Sequence, residues 1–149
     1  MVAYSFKAMF AGQVSALTKR HTIRGDRRRH ARPGESVQLY TGMRTRECRK
    51  LVDPDPICSR VRPIAILTVL SPHLDLIGAI VIDGRSLGSE EIERFAQADG
   101  FGIEHVGDCK MRRLGVPGSA RFNMGQFWEE THGTPAVFNG WLIDWEPAS

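Results

Sequence analysis

Apolar and polar positions fall in short blocks along this chain, and most of the blocks read as strands. Residues 4–10 predict a first strand with Tyr4, Phe6 and Ala8 on one face. Residues 11–17 suit a short helix that delivers the chain to Lys19. After the turn signal Pro33-Gly34, residues 36–40 alternate, with Val37 and Leu39 set against polar neighbours. Residues 47–51 extend the sheet until Asp53-Pro54-Asp55-Pro56 breaks it, because two prolines leave little freedom for regular structure. Residues 64–70 and 76–82 are apolar and rich in branched side chains, predicting two core strands. The second of these ends at the turn Asp83-Gly84.

A helix is expected next, capped by Ser89 and carrying Glu90 and Glu91 in its first turn. Ile92, Phe95 and Ala96 fall at helical spacing, and the helix should stop at Asp99-Gly100. Residues 107–120 hold three glycines and a proline and read as a surface loop. Asn123 starts a second helix through Phe127, Trp128 and His132. Residues 134–145 predict a last strand with Val137, Trp141, Ile143 and Trp145 on its apolar side. No block repeats at a fixed period. Strands outnumber helices without regular interleaving, so the expected fold is mainly β with peripheral helices (α+β), a small mixed or closed barrel formed by one domain over residues 1–149.

Composition adds bounds. The 149 residues are 42% hydrophobic and 25% charged, an ordinary globular balance. Cys48, Cys58 and Cys109 form an odd set without close pairs, which favours a reducing compartment and a cytoplasmic location over a disulfide framework. No Cys-x-x-Cys pair exists, and His73 and His105 lack zinc-like partners, so neither a metal nor another cofactor is expected. The N-terminus does not read as a signal peptide, and the longest apolar run, residues 76–82, is too short to span a bilayer.

Charge changes the picture more. The net is only +3, but residues 1–62 carry 14 basic and 5 acidic side chains, and the remainder 6 basic and 12 acidic. This asymmetry fits an anionic partner for the basic half, and it also fits two halves that attract each other. Residues 19–32 alone hold seven Lys or Arg against one Asp. Arg20, Arg24, Arg27, Arg28, Arg29 and Arg32 cannot all pair with Asp26, so phosphate contacts are expected here. Arg44, Arg46, Arg49 and Lys50 form a second basic group across the intervening strand. Tyr40 lies between the groups, either as a half-buried strand residue or as a platform for a base.

Inside the run, Lys19, Thr22 and Arg24 form a separate candidate. In an extended chain Thr22 and Arg24 share a face. Lysine supplies a cation, or a general base if burial lowers its pKa; threonine supplies a hydroxyl; Arg24 supplies a rigid fork.

The order Lys19-x-x-Thr22-x-Arg24, then Arg32-Pro33-Gly34-Glu35-x-Val37-x-Leu39-Tyr40, resembles the ASCH family of PUA-like barrels associated with RNA. Leu17 stands where the family has a glycine. The later run Glu91-Ile92-Glu93-x-Phe95-Ala96-x-x-Asp99-Gly100-Phe101, with Phe127-Trp128 and Ile143-x-Trp145, is similar as well. The resemblance implies a PUA-like β-barrel in a single ASCH domain. Members similar to bacterial N4-acetylcytidine amidohydrolases use a lysine, a threonine and a glutamate, which places catalytic roles on Lys19, Thr22 and Asp99. Lys19 would deprotonate Thr22, whose hydroxyl attacks the amide carbonyl, while Asp99 orients Lys19 or shuttles a proton. Aspartate is one methylene shorter than the family's glutamate.

Three functions follow as expectations. The first is binding of RNA or a modified nucleoside in a PUA-like cleft lined by the basic motif. The second is a small hydrolase, amidohydrolase-like or acting on RNA, built on Lys19, Thr22 and Asp99. The third is a protein-interaction domain that docks an acidic partner.

Overall fold

A computed structural model of the chain describes residues 2–69, 76–106, 119–133 and 136–148. The fold is mixed α/β, with two sheets and peripheral helices. One sheet is three-stranded, in the order β1-β3-β4: β1 is Val2–Phe6, β3 Val37–Thr41 and β4 Arg49–Lys50. The other has the order β2-β8-β5-β6-β7: β2 is His21–Arg24, β5 Ile57–Thr68, β6 Ile77–Ile82, β7 Arg85–Ser86 and β8 Ala136–Glu146. Neither sheet is seen to close on itself among the described residues. The chain forms two compact units, Met1–Arg62 with Trp141–Ser149, and Pro63–Gly140.

In the first unit, β1 runs parallel to β3, with Val2, Tyr4 and Phe6 opposite Val37, Leu39 and Thr41. Val2, Tyr4, Phe6, Val37 and Leu39 are buried, as alternation predicts, and the Trp145 ring meets Phe6 edge-on at 5.9 Å. The first strand is shorter than expected. It ends at Phe6, where its pairing with β3 ends, and Ala8 stands exposed in the first turn of helix α1, Ala8–Ser15. Phe10, Ala11 and Val14 form the buried side of that helix. Antiparallel β2 and β8 pair Thr22 with Ile143 and Arg24 with Trp141.

In the second unit, Ile64 and Ile66 of β5 lie opposite Ile82 and Ile80 of β6, and all four are buried. Strand β5 begins earlier than expected and passes through Pro63. That proline lacks a donor, but its carbonyl accepts the Asp83 N–H at 2.9 Å. Asp83 and Gly84, at φ 52° and 80°, make the two-residue turn into β7, a conformation that favours glycine. Helix α2, Ser89–Ala96, has Gly88 at its N-cap and Ser89 inside the first turn. It widens into a π turn, Gln97–Phe101, and the helical path breaks as expected at Gly100, which takes the left-handed conformation at φ 104°. Helix α3, Ile103–Val106, follows.

Helix α4, Ala120–His132, starts three residues before Asn123. The Ser119 hydroxyl oxygen accepts the Phe122 N–H at 3.1 Å, and the Glu93 carboxylate accepts the Ala120 and Arg121 N–H groups at 3.0 and 3.1 Å. Burial raises the Glu93 pKa, but the bonds from Arg121, Ala120 and Gln97 outweigh it, and the carboxyl stays below its ordinary value. The apolar side expected for β8 does not hold along its length. Val137 is 63% exposed, whereas Leu142, Ile143 and Trp145 are all buried. Of the predicted loop at 107–120, residues 107–118 lie outside the described residues, as do Leu70 and His73, while Ser119 and Ala120 already open α4. Among the described residues no helix is long and apolar enough to cross a membrane, and no cluster of His, Cys, Asp or Glu is arranged to hold a metal ion.

The start of α2 is held by charge. Arg85 donates to both carboxylate oxygens of Glu91 at 3.2 and 2.8 Å, and the Gly88 N–H donates to the same group at 3.1 Å. Led by Arg85, these bonds hold the Glu91 pKa at about 2. Because the folded value is depressed, the contribution to stability is full above the ordinary carboxylate range and lost as pH falls through about 2. An NMR titration of Glu91 should show this, and Arg85→Ala should move the carboxyl back up. The exposed pair adds little at neutral pH, so melting of that variant there should be nearly unchanged.

Candidate nucleic-acid interface

The basic run folds around one tyrosine. Tyr4 is 1% exposed, and its hydroxyl sits 2.9 Å from His30 Nδ1 and 3.1 Å from the buried Ala31 N–H. The other ring nitrogen of His30, Nε2, lies 2.9 Å from the Gly25 carbonyl. A carbonyl only accepts, so in neutral His30 the proton is on Nε2, and Nδ1 accepts the Tyr4 O–H. The Tyr4 oxygen in turn accepts from Ala31. Burial pushes the phenol pKa up, opposed by the Ala31 N–H and the Arg27 and Arg24 charges. Those guanidinium carbons lie 5.1 and 5.5 Å from the ring centroid.

Arg24 is turned into the protein. Its Nε donates to Thr22 Oγ1 at 2.9 Å and its Nη2 to the Ser5 carbonyl at 2.6 Å, and it also packs 5.2 Å from the Phe6 centroid. The shared face expected for Thr22 and Arg24 is therefore present. Thr22 and Lys19 are both 4% exposed, and Lys19 Nζ lies 5.0 Å from the Phe10 centroid. Leu17, at φ 61°, turns the chain after α1, and the Lys19 N–H donates to the Gln13 carbonyl at 3.1 Å. This turn separates neighbours: Lys19 is buried, while Arg20 is exposed and pairs with Glu146 at 3.0 Å. Asp99 belongs to the second unit, where it is 6% exposed within the π turn.

The outer arginines differ in how far they are occupied. Arg27 donates to the Ala3 carbonyl at 3.3 Å. Arg29 pairs with Glu35, whose other oxygen accepts the Arg32 N–H at 2.7 Å. Arg29 first and that N–H second hold the Glu35 carboxyl below its ordinary range. Asp26 accepts from the Trp141 indole at 2.8 Å. Among the described residues, the side chains of Arg28, Arg32, Arg44 and Arg46 meet no hydrogen-bond or ion-pair partner. Arg27, Arg28 and Arg29, with Val2 and Ala3, line a groove of about 380 Å³. Tyr40 is half-buried on β3, and Lys50 Nζ stands 5.9 Å from its ring centroid.

Sequence patterning missed Tyr4 and His30 as the organising pair. The available signal was the phenol itself, because a tyrosine placed on a core face needs a partner for its hydroxyl. Tyr4→Phe leaves the Ala31 N–H buried and His30 Nδ1 unmatched, so it should cost about 1–3 kcal/mol in denaturant unfolding. Unchanged stability would show that the basic loop is held by other contacts.

Comparison with known proteins gives no matching family model, no matching curated protein and no matching solved structure.

Proposed function

We propose that this protein binds RNA or a modified nucleoside, with the Lys19-Thr22-Arg24 segment as the floor of a PUA-like cleft and the outer arginines as its rim. One observation carries the proposal. A single 14-residue run sends Lys19 and Thr22 into the protein while Arg28 and Arg32 are left without protein partners among the described residues. Buried polar groups suit recognition of a base, and unmatched guanidinium groups suit phosphates. The ASCH-like order of residues and a closed barrel belong to the same proposal.

Hydrolysis is the second reading, favoured by the bond from Arg24 to Thr22. The hydroxyl oxygen accepts from Arg24, which leaves its own proton to be given away. In that chemistry, neutral Lys19 takes the Thr22 proton as Oγ1 bonds to the acetyl carbon of acetylated cytidine. The C–N bond then breaks, and the amine leaves with the proton from Lys19. Water next cleaves the acetyl-threonine ester, releasing acetate and restoring Thr22.

Two measurements test these readings. RNA affinity should fall linearly on a log–log plot against salt, with a slope of about −0.7 for each neutralised phosphate. A flat plot removes the phosphate rim. Incubation with N4-acetylcytidine should release cytidine and acetate from the wild type and none from Lys19→Ala or Thr22→Ala. Binding of the nucleoside without product from the wild type leaves the binding function and removes the hydrolase.

A further inference from the structure

The three-stranded sheet has a second face that the cleft does not use. Val2, Tyr4 and Phe6 of β1 and Val37 and Leu39 of β3 are buried, so Ala3, Ser5, Gln38 and Tyr40 take the opposite side. All four are partly exposed. Ser5 is the register partner of Tyr40, and Tyr40 is the partner of Lys50 on β4. Tyr40 is thus the aromatic centre of a polar sheet face.

Two grooves lie along β1, the first beside this face and the second past the strand's end. Ala3 belongs to the 380 Å³ groove with Arg27, Arg28 and Arg29. Two residues on, Ser5 belongs to a groove of about 680 Å³ with Thr41, Thr45, Glu47 and Arg49. The spacing between Ala3 and Ser5 along a strand is about 7 Å. The second groove depends on its turn. Gly42 has φ 65°, and a Cβ there would come within 2.8 Å of the Glu47 carbonyl oxygen.

The charges are unevenly occupied. Arg29 is matched by Glu35, and Lys50 by Asp55 at 2.7 Å. Glu47 places one carboxylate in the second groove. Arg28, in the first groove, finds no hydrogen-bond or ion-pair partner among the described residues, and neither does the Gln38 side-chain amide.

We propose that this face is a platform for single-stranded RNA, separate from the Lys19-Thr22 floor. It deepens the nucleic-acid reading by adding an oligonucleotide track to a base-sized cleft. Tyr40 stacks on an unpaired base, and Arg28, from the groove beside Ala3, takes a phosphate. The Gln38 amide and the Ser5 hydroxyl face the ribose, where a 2′-OH distinguishes RNA from DNA. A duplex keeps its bases stacked and cannot present one to Tyr40, so the occupant is a single strand.

The test is fluorescence anisotropy with a short, labelled single-stranded RNA, run beside binding of N4-acetylcytidine. Tyr40→Leu should weaken RNA roughly 5- to 150-fold, the range of one lost stacking contact. Tyr40→Phe should stay near wild type, and nucleoside affinity should not move in either variant. Arg28→Glu, a change at an exposed position that spares the core, should weaken RNA and make the salt slope shallower by about 0.7. Wild-type RNA affinity in folded Tyr40→Leu overturns the platform. Equal affinity for single-stranded DNA, or displacement of the RNA by polyglutamate at equal charge, overturns the choice of RNA. Nucleoside binding without oligonucleotide binding removes the platform and leaves the cleft. RNA binding through Tyr40 with no nucleoside bound and no effect of Lys19→Ala does the converse.

Discussion

The buried hydroxyl of Tyr4 is the constraint on which the basic segment depends. A phenol at 1% exposure brings a polar tip into a region that otherwise rewards only apolar groups. Its needs are met by His30 and Ala31, 26 and 27 residues along the chain. Closing that contact fixes where residues 24–31 return to β1. Arg24 and Arg27 then stand against the same ring, and the His30 imidazole stacks on it at 5.9 Å and 11°. A run of like charges would otherwise repel itself into an extended, solvated loop. Here one aromatic ring and two backbone carbonyls of β1 gather it.

That arrangement gives neighbouring arginines different work. Arg24 spends two donors inside the protein, on Thr22 and the Ser5 carbonyl, so it ties β2 to β1 and is not simply one more surface charge. Arg27 is half committed to Ala3, Arg29 is matched by Glu35, and Arg28 is left over. The two acidic residues nearest the run do not cancel it evenly. Asp26 is engaged by the Trp141 indole, and Glu35 by the turn around Gly34. Counting charges overstated the number of free cations and could not say which they were.

Short-range patterns were legible and long-range partners were not. Alternation located the buried faces of β1 and β3 and the shared face of Thr22 and Arg24, because a strand's period of two is set by the backbone alone. The spacing of Ile92 and Ala96 located the buried side of α2 for the equivalent reason. Element ends were less visible. The first strand stops at Phe6 because its partner β3 stops, and α4 starts at Ala120 because Glu93 on another helix caps it. Strand β5 begins before residue 64 because it runs on through Pro63, whose carbonyl still takes a ladder bond. Each miss depended on a residue distant in sequence. The same is true of the site: Lys19, Thr22 and Arg24 stood out as types, but the Tyr4–His30 pair that organises their surroundings has no local signature.

Strand β1 joins these observations through its two chemistries. Its outward carbonyls, at Ala3 and Ser5, receive Arg27 and Arg24. Its side chains at the same two positions border two grooves. The outer edge of β1 is therefore occupied by guanidinium groups, which also blunts it against pairing with another chain. A slip of one residue against β3 would exchange Val2, Tyr4 and Phe6 with Ala3 and Ser5, placing the phenol on the open face and two small residues in the core. The carbonyls that hold Arg24 and Arg27 would move with them. Core packing and the placement of the basic residues are thus set by one register, and the apolar partners Val37 and Leu39 help hold the cations in place without touching them.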